Sequence, residues 1–410
     1  MTNSIKEIGD AACILAIGTN TTEAHPVIAL EIKKAVNQGG KLIVANPREI
    51  RLTTFSNIWL QLVPGTDVPL LYGMAKVIVE EGLEDREFIK SRCENFDDLI
   101  ASLKQINLDE ISKITGVPQE TIKAAARMYA TNKPASILYT MGITQHITGT
   151  DNVMAIANLA MLTGNLGKPS SGVNPLRGQN NVQGACDMGA LPNVYPAYQS
   201  VTDANNKAKF EAAWGATLSD KTGLTVTEMM DAAQEGKIKS MYIIGENPIL
   251  SEPDANHAAA ALRRLDFLVV QDIFLTETGQ EADVILPAAS FAEKVGTFTN
   301  TERRVQMVCQ AVDAVGESKP DWQITSLIAQ KMGAKGFDYQ SPGDIMSEIN
   351  KVTPSYGGIT HQRLEKGGLQ WPCPNADHPG TPILHASAFT RGKGRFMPLT
   401  YKPPAELPDA

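Results

Sequence analysis

The first 45 residues constrain this chain's fold more than any other stretch. Residues 11–17 form a short apolar run with no polar alternation, the pattern of a strand buried on both faces of a parallel sheet. Pro26 suits the first turn of a helix, where its missing N–H costs nothing. Residues 27–36 carry helical patterning, Gly39-Gly40 stops it, and Lys41–Ala45 reads as the next strand. A parallel crossover of this kind is expected to be right-handed. Residues 67–81, 118–130 and 152–162 read as further helices, and 136–139 as another short strand. The alternation resumes later, with strands at Ser240–Ile244, 267–270 and 283–286 and a helix over 254–265. Strands alternating with helices predict an α/β architecture with mostly parallel, doubly wound sheets. From about Ser290 the pattern weakens, apart from a helix over 322–332. The tail from Gly357 is rich in Gly, Pro and His and reads as loop.

At 410 residues there is room for two or three domains. A net charge of −8 disfavours nucleic acid as a partner. The opening Met-Thr-Asn-Ser-Ile-Lys-Glu-Ile has neither the basic start nor the apolar core of a signal peptide. No apolar run approaches the roughly 20 residues that span a bilayer. The expectation is a cytoplasmic chain without membrane insertion. The cysteines, Cys13, Cys93, Cys186, Cys309 and Cys373, are scattered and odd in number. They offer neither the close spacing of zinc or iron–sulfur ligands nor a disulfide framework, and most read as buried thiols.

The chemistry concentrates at predicted strand ends. In doubly wound sheets, ligands bind beyond the carboxyl ends of strands, where backbone N–H groups meet phosphates. Gly18-Thr19-Asn20-Thr21-Thr22-Glu23 follows the first strand, Asn46-Pro47-Arg48 the second, and Pro64-Gly65-Thr66-Asp67 precedes a helix. None is a G-x-G-x-x-G fingerprint, which argues against a plain nicotinamide site. A second set follows the later strands: Gly245-Glu246-Asn247-Pro248, then Gln271-Asp272, with Asp321 ahead of a helix. Taken singly, each is also what a turn or an N-cap uses. Paired with a ligand, a carboxylate at such an edge can accept two hydrogen bonds from the N–H edge of guanine.

Residues 174–189, Asn-Pro-Leu-Arg-Gly-Gln-Asn-Asn-Val-Gln-Gly-Ala-Cys-Asp-Met-Gly, pack an arginine, amides and glycines together with little apolar periodicity. The stretch reads as irregular backbone held against something polar, with Arg177 offering a planar cationic fork that fits a carboxylate. His25 and His146 read as structural, since a lone histidine is weak evidence for catalysis.

This segment resembles the active-site stretch of molybdenum- or tungsten-dependent formate dehydrogenases, within the molybdopterin oxidoreductase superfamily. The resemblance extends through Gly142-Ile143-Thr144-Gln145, Leu162-Thr163-Gly164-Asn165-Leu166-Gly167, Gln271-Asp272-Ile273-Phe274, Ala282-Asp283-Val284-Ile285-Leu286-Pro287 and Gly296-Thr297-Phe298-Thr299-Asn300-Thr301-Glu302-Arg303-Arg304. It covers nearly the whole chain. It implies two Rossmann-like domains related by pseudo-symmetry, at 1–178 and 179–290, with 291–410 as a less regular segment completing the cofactor site. It implies two molybdopterin guanine dinucleotides holding Mo or W between them. One would be lined by Gly18, Asn20, Glu23, Asn46, Arg48, Gly65 and Asp67, with Gly142 and Gln145 near its pterin. The other would be lined by Gln179, Gly245, Glu246, Asn247, Ser251, Gln271, Asp272 and Asp321. Asn46 and Asn247 stand where some relatives are expected to carry aspartate. Arg177 matches the arginine that orients formate beside the metal. Formate and CO2 would be the substrate pair, with electrons passed to iron–sulfur or flavin subunits.

The family also carries a cysteine cluster for a [4Fe–4S] centre, a selenocysteine or cysteine metal ligand followed by histidine, and a closing β-rich domain. This sequence contains none of these, and no metal ligand is assigned in it. The expectation is a central portion of a catalytic subunit, with little activity as an isolated polypeptide; whether neighbouring chains carry the missing regions is left open by the sequence. A selenocysteine codon treated as a stop, with the reading frame restarted at the next methionine, would explain the missing front; an upstream stretch with no in-frame UGA or cysteine codon followed by a histidine codon would exclude it. The alternatives are another molybdopterin oxidoreductase, such as a nitrate reductase, and a noncatalytic cofactor-binding or assembly protein.

Overall fold

The apolar run after Ala11 becomes β1 (Cys13–Ile17), the centre of a five-stranded, wholly parallel sheet. Its partners are α1 (Pro26–Asn37), β2 (Lys41–Ala45), β3 (Ile58–Leu60), α2 (Asp67–Glu80), α3 (Gln119–Thr131), β4 (Ala135–Tyr139), α4 (Gly149–Leu162) and β5 (Gly172–Pro175). The strand order is β3-β2-β1-β4-β5. The chain therefore builds outward from β1 first on one side and then on the other, and the order reverses between β1 and β4. Such a reversal opens a crevice at the carboxyl edge of the sheet. The computed structural model describes residues 1–406.

Successive β1 side chains serve opposite cores, as the pleat demands. Cys13, Leu15 and Ile17 join a large cluster with Leu71, Met74 and Ile78 of α2, Ile122 and Tyr129 of α3, and Ile156 and Leu159 of α4. Ile14 and Ala16 join a smaller cluster with Ile28, Ile32 and Ala35 of α1. All five β1 residues are buried, which is why the run lacks polar alternation.

This sheet belongs to one compact unit, made of Met1–Asn180, Thr301–Arg303 and the chain from Thr381 onward; a second comprises Asn181–Asn300 and Arg304–Gly380. In the second unit α5 (Val182–Asp187) precedes a parallel sheet of β6 (Ser240–Ile244), β7 (Phe267–Asp272) and β8 (Val284–Pro287), in the order β8-β7-β6. The helix Ala255–Leu262 is capped by Asp254, whose carboxylate accepts from the His257 N–H at 2.9 Å, and packs Ala258, Ala261 and Leu262 against Ile243, Leu268 and Val270. The opposite face leaves Tyr242, Ile244 and Phe267 between 40% and 48% exposed. An antiparallel pair, β9 (Gly296–Thr299) and β10 (Arg304–Val308), and the helices Asp321–Lys331 and Pro342–Val352 complete this unit.

Two expectations need correction. Residues 174–189 are not irregular throughout: their first residues end β5, and Val182–Asp187 is helical. The region after Ser290 is also more regular than its pattern suggests, because a hairpin and an 11-residue helix form there.

Candidate functional site

Register places the candidate residues of the first unit in one row. Ile17 is level with Ala45 and Tyr139, Ala45 with Leu60, and Tyr139 with Pro175. Gly18, Asn46, Thr140 and Leu176 are therefore the first residues past the carboxyl edge of neighbouring strands. Gly18, Asn20, Asn46, Arg48, Gly65, Asp67 and Gly142 line an open cleft of about 250 Å³ there, joined by Thr19, Pro47, Leu62, Pro64 and His146. That is close to the lower end of the roughly 300–1,000 Å³ usual for small-molecule pockets, and suits one end of an extended ligand. Glu23 and Gln145 are exposed nearby and do not line it.

Two glycines make the switch point. Gly18 has φ +57°, and its carbonyl accepts from the Gly142 N–H at 3.2 Å and the Thr140 hydroxyl at 2.7 Å. A Cβ on Gly18 would sit 2.7 Å from the Gly142 carbonyl carbon, and one on Gly142 would sit 2.6 Å from the Gly18 oxygen. The loops after β1 and β4 can meet this closely only without side chains. Beside them the Thr19 hydroxyl, in a residue 2% exposed, has no hydrogen-bond partner within the protein. Buried hydroxyls are rarely left so, and Thr19 is among the residues that line the cleft. Asn20 and Asn46 hold their own loops: the Asn20 side-chain oxygen accepts from the Thr22 hydroxyl at 3.0 Å, and that of Asn46 from the Arg48 N–H at 3.0 Å.

Asp67 is the strongest electrostatic feature of the cleft. It opens α2 and is 4% exposed. Burial pushes its carboxyl up to about 6, against the opposing pull of the His146 charge and of its own backbone N–H. The positive end of a helix is worth only about 0.3–1 kcal/mol to an anion, too little to reverse this. A carboxyl held tighter to its proton in the folded state stabilises the fold at low pH, and that advantage is lost as pH rises from about 4 through 6. The cost at neutral pH amounts to about 3 kcal/mol. Asp67→Asn is therefore expected to raise the melting temperature of the ligand-free chain at pH 7.5 and to leave it almost unchanged at pH 4. Melting curves at the two pH values check this; an equal shift at both would be incompatible with it.

Arg177 follows β5 at the same edge. Its N–H donates to the Thr301 hydroxyl at 2.9 Å, and its carbonyl accepts from His25 Nε2 at 2.8 Å. The side chain is exposed. Its charge counters the burial that raises the Tyr139 hydroxyl above the usual phenol range, which puts the guanidinium near the last residue of β4. Gln179 lies exposed two residues further on.

In the second unit the candidates divide into two groups. Gly245, Glu246, Asn247 and Ser251 follow β6. The Asn247 amide nitrogen donates to Glu277 at 2.8 Å, its oxygen accepts from the Thr278 hydroxyl at 2.6 Å, and Ser251 donates to Glu246. Gln271 is fully buried and donates to Asp321 at 2.8 Å, accepting in turn from the Tyr242 hydroxyl; Lys294 pairs with Asp321. Asp272 accepts from the Ile273 N–H at 2.6 Å in its own turn. Asp321 and Lys294 border a cleft of about 300 Å³ floored by Phe291, Trp322 and Met346.

Thr19 lies inside the Gly18–Glu23 strand-end motif, where its sequence gives it no distinctive chemistry, and His146 reads as structural; both line the cleft. His25 reads as structural in the sequence, and its bond to Arg177 joins residues 152 apart, which no local pattern reveals. Among the described residues no group of three or more His, Cys, Asp and Glu is placed to hold a metal ion, and no helix is long and apolar enough to cross a membrane. Cys13, Cys93 and Cys373 are buried, while Cys309 is exposed.

Comparison with known proteins gives this geometry a family. Residues 1–331 match the family model of molybdopterin oxidoreductases. The F420-dependent formate dehydrogenase subunit alpha of Methanocaldococcus jannaschii is 52% identical over 413 residues, covering 100% of this chain and 61% of that protein. Formate dehydrogenase H of Escherichia coli is 41% identical over 399 residues, covering 96% of this chain and 56% of that protein. Acetylene hydratase from Pelobacter acetylenicus shares the fold, with a TM-score of 0.69 at 24% identity over 90% of this chain and 54% of that one. The chain belongs to the molybdopterin oxidoreductase family. It spans about three-fifths of the length of the first of these relatives. The cofactor class named by the family suits what the cleft offers: an unpartnered buried hydroxyl at Thr19, a backbone approach at Gly18 and Gly142 that any Cβ would fill, and a buried carboxylate at Asp67.

Proposed function

We propose that this chain is the central part of a molybdenum- or tungsten-dependent formate dehydrogenase catalytic subunit, oxidising formate to CO2 or running the reverse reaction in the cytoplasm. The observation that carries the reading is the placement of Arg177, a permanent cation fixed through its backbone at the sheet edge that also holds the polar cleft. Formate has almost no apolar surface, so its affinity must come from charge-assisted hydrogen bonds. A guanidinium supplies two in one plane and cannot take up the proton that oxidation releases. The bound molybdopterin cofactor with its metal supplies the two-electron redox chemistry.

The chain's own residues bind and orient. Gly18 and Gly142 let backbone approach the dinucleotide, Thr19 and Asn20 offer it hydrogen bonds, and Arg48 faces its phosphates. Asp67 accepts from the N–H edge of guanine; each such bond favours the ionised carboxylate and offsets the cost of its burial. Gln179, Gly245, Glu246, Asn247, Ser251, Gln271, Asp272 and Asp321 serve a second dinucleotide, and Glu23 and Gln145 approach the first from outside the cleft. Partner iron–sulfur or flavin subunits would take up the electrons, and no residue of this chain is assigned to a cluster.

The test is to purify the protein from its own source with whatever subunits accompany it, then measure metal, pterin and formate-dependent reduction of a viologen dye. Molybdenum or tungsten together with a guanine-bearing pterin and formate turnover is the expected result. Absence of both pterin and metal overturns the reading, and turnover of nitrate instead of formate moves it to the sister reaction.

A further inference from the structure

We infer that His25 and Thr301 are positioning residues for Arg177, forming a two-sided clamp on its backbone, one at its N–H and one at its carbonyl; the inference rests on the formate reading above for its consequence, though not for its geometry. The residues come from separate loops. His25 ends the turn after β1, and Thr301 belongs to the stretch Gly296-Thr297-Phe298-Thr299-Asn300-Thr301-Glu302-Arg303-Arg304. The Thr301 hydroxyl accepts from the Arg177 N–H at 2.9 Å and donates to the Pro175 carbonyl at 3.0 Å, so one side chain spans the end of β5. His25 Nε2 lies 2.8 Å from the Arg177 carbonyl. A carbonyl only accepts, so Nε2 carries a proton and donates it to Arg177. Nδ1 is buried and has no protein partner. The hydrogen bond the ring makes within the protein is thus the one to Arg177.

The clamp addresses a specific problem. Beyond Arg177 the chain runs Gly178-Gln179-Asn180, all exposed, and a residue with Gly178 after it has little local restraint. An arginine side chain has many rotamers. Fixing its backbone on both sides limits the positions the guanidinium can reach, which is how a support raises the effectiveness of an orienting group it never replaces.

The test pairs each deletion with a conservative partner: His25→Ala with His25→Gln, which keeps a side-chain N–H, and Thr301→Val with Thr301→Ser, which keeps the hydroxyl. Hydrogen–deuterium exchange of the peptide containing Leu176, Arg177 and Gly178 is read first, on the full chain and independently of turnover. His25→Ala and Thr301→Val are each expected to speed exchange there roughly 5-fold, as loss of one ordinary hydrogen bond implies, while the Gln and Ser variants stay near wild type. In the cofactor-loaded enzyme the same deletions are expected to raise the formate KM roughly 10-fold with kcat within about 3-fold and metal content unchanged. Unchanged exchange in either deletion variant overturns the clamp, whatever the activity. Altered exchange with an unchanged formate KM overturns its role in orienting the arginine. A wild-type holoenzyme that ignores formate defeats the functional reading and leaves the exchange result to decide the clamp alone. Should His25→Ala fail to fold, Thr301→Val decides by the same measure.

Discussion

Asp187→Ala is expected to destabilise the second unit by about 3–5 kcal/mol, the range found when one partner of a buried charged group is removed. Asp187 ends α5 and is 1% exposed. One carboxylate oxygen accepts from Gln183 Nε2 at 2.7 Å and the Tyr198 hydroxyl at 3.0 Å; the other accepts from the Tyr356 hydroxyl at 2.7 Å and Trp371 Nε1 at 2.6 Å. Burial pushes this carboxyl above its usual range, and the bonds from Tyr356, Gln183, Tyr198 and Trp371 pull it back. Alanine would leave several donors facing each other in a dry site, and an orphaned buried donor costs about 1–3 kcal/mol. Asp187→Asn keeps the shape but turns an N–H2 group toward two of those donors, so its cost falls between alanine and wild type. Tyr356→Phe removes one donor of four and is expected to cost about 1.5–3 kcal/mol. Urea unfolding followed by tryptophan fluorescence reads all three, since Trp371 touches the carboxylate directly. A loss below 1 kcal/mol for Asp187→Ala would show that water replaces the carboxylate without penalty.

Asp187 also marks where sequence reading stops. It stands within the stretch whose amides and glycines suggest ligand contact, yet its four partners come from Gln183, Tyr198, Tyr356 and Trp371, up to 184 positions away. Nothing local distinguishes a carboxylate that meets a ligand from one that ties down a helix. The strands were legible for the opposite reason. β1, β2 and β4 are buried on both faces over most of their length and so are written as largely apolar runs, broken by Lys41 at the start of β2 and by Ser136, paired with Asn174, in β4; β2 ends where Lys41–Ala45 suggested. β5 escaped because Gly172–Pro175 is an edge strand of four residues with Gly at one end and Pro at the other, a composition strands tolerate only at edges.

Some helices were missed although their signals are local. Asp203 accepts from the Asn205 and Asn206 N–H groups to open Ala204–Trp214, and Ser341 with Asp344 forms a capping box at Pro342–Val352. Both are start signals of a recognised kind; apolar periodicity alone overlooks them. At the candidate site, strand-end reasoning found Gly18, Asn46, Gly65 and Asp67 because topology fixes where such residues must lie. It read His146 as structural, because that residue's place in the cleft depends on how the turn after β4 folds back.

Arg177 carries the other large effect. Under the formate reading, Arg177→Ala is expected to lower kcat/KM for formate by roughly 10²- to 10⁴-fold, because it deletes two charge-assisted hydrogen bonds worth about 1.5–3 kcal/mol each. Arg177→Lys keeps the charge and loses the planar fork, so roughly 10- to 100-fold of that deficit should remain. Arg177 is exposed and its backbone bonds to Thr301 and His25 do not require a guanidinium; a surface substitution costs about 0.5 kcal/mol or less, so melting temperature is expected to shift little and metal content to stay near wild type. That separation makes the experiment decisive. A structural arginine would lower stability along with activity, and a cofactor ligand would lower metal and pterin content. Only a substrate-orienting cation lowers formate turnover by itself. Added guanidinium chloride should restore part of the activity of Arg177→Ala and none of that of Arg177→Lys, where the ammonium occupies the space. Steady-state kinetics of the holoenzyme with formate and a viologen dye, beside metal analysis of the same samples, reads every arm. Equal formate kcat/KM in wild type and Arg177→Ala would remove this residue from the chemistry, and with it the observation on which the proposed function rests.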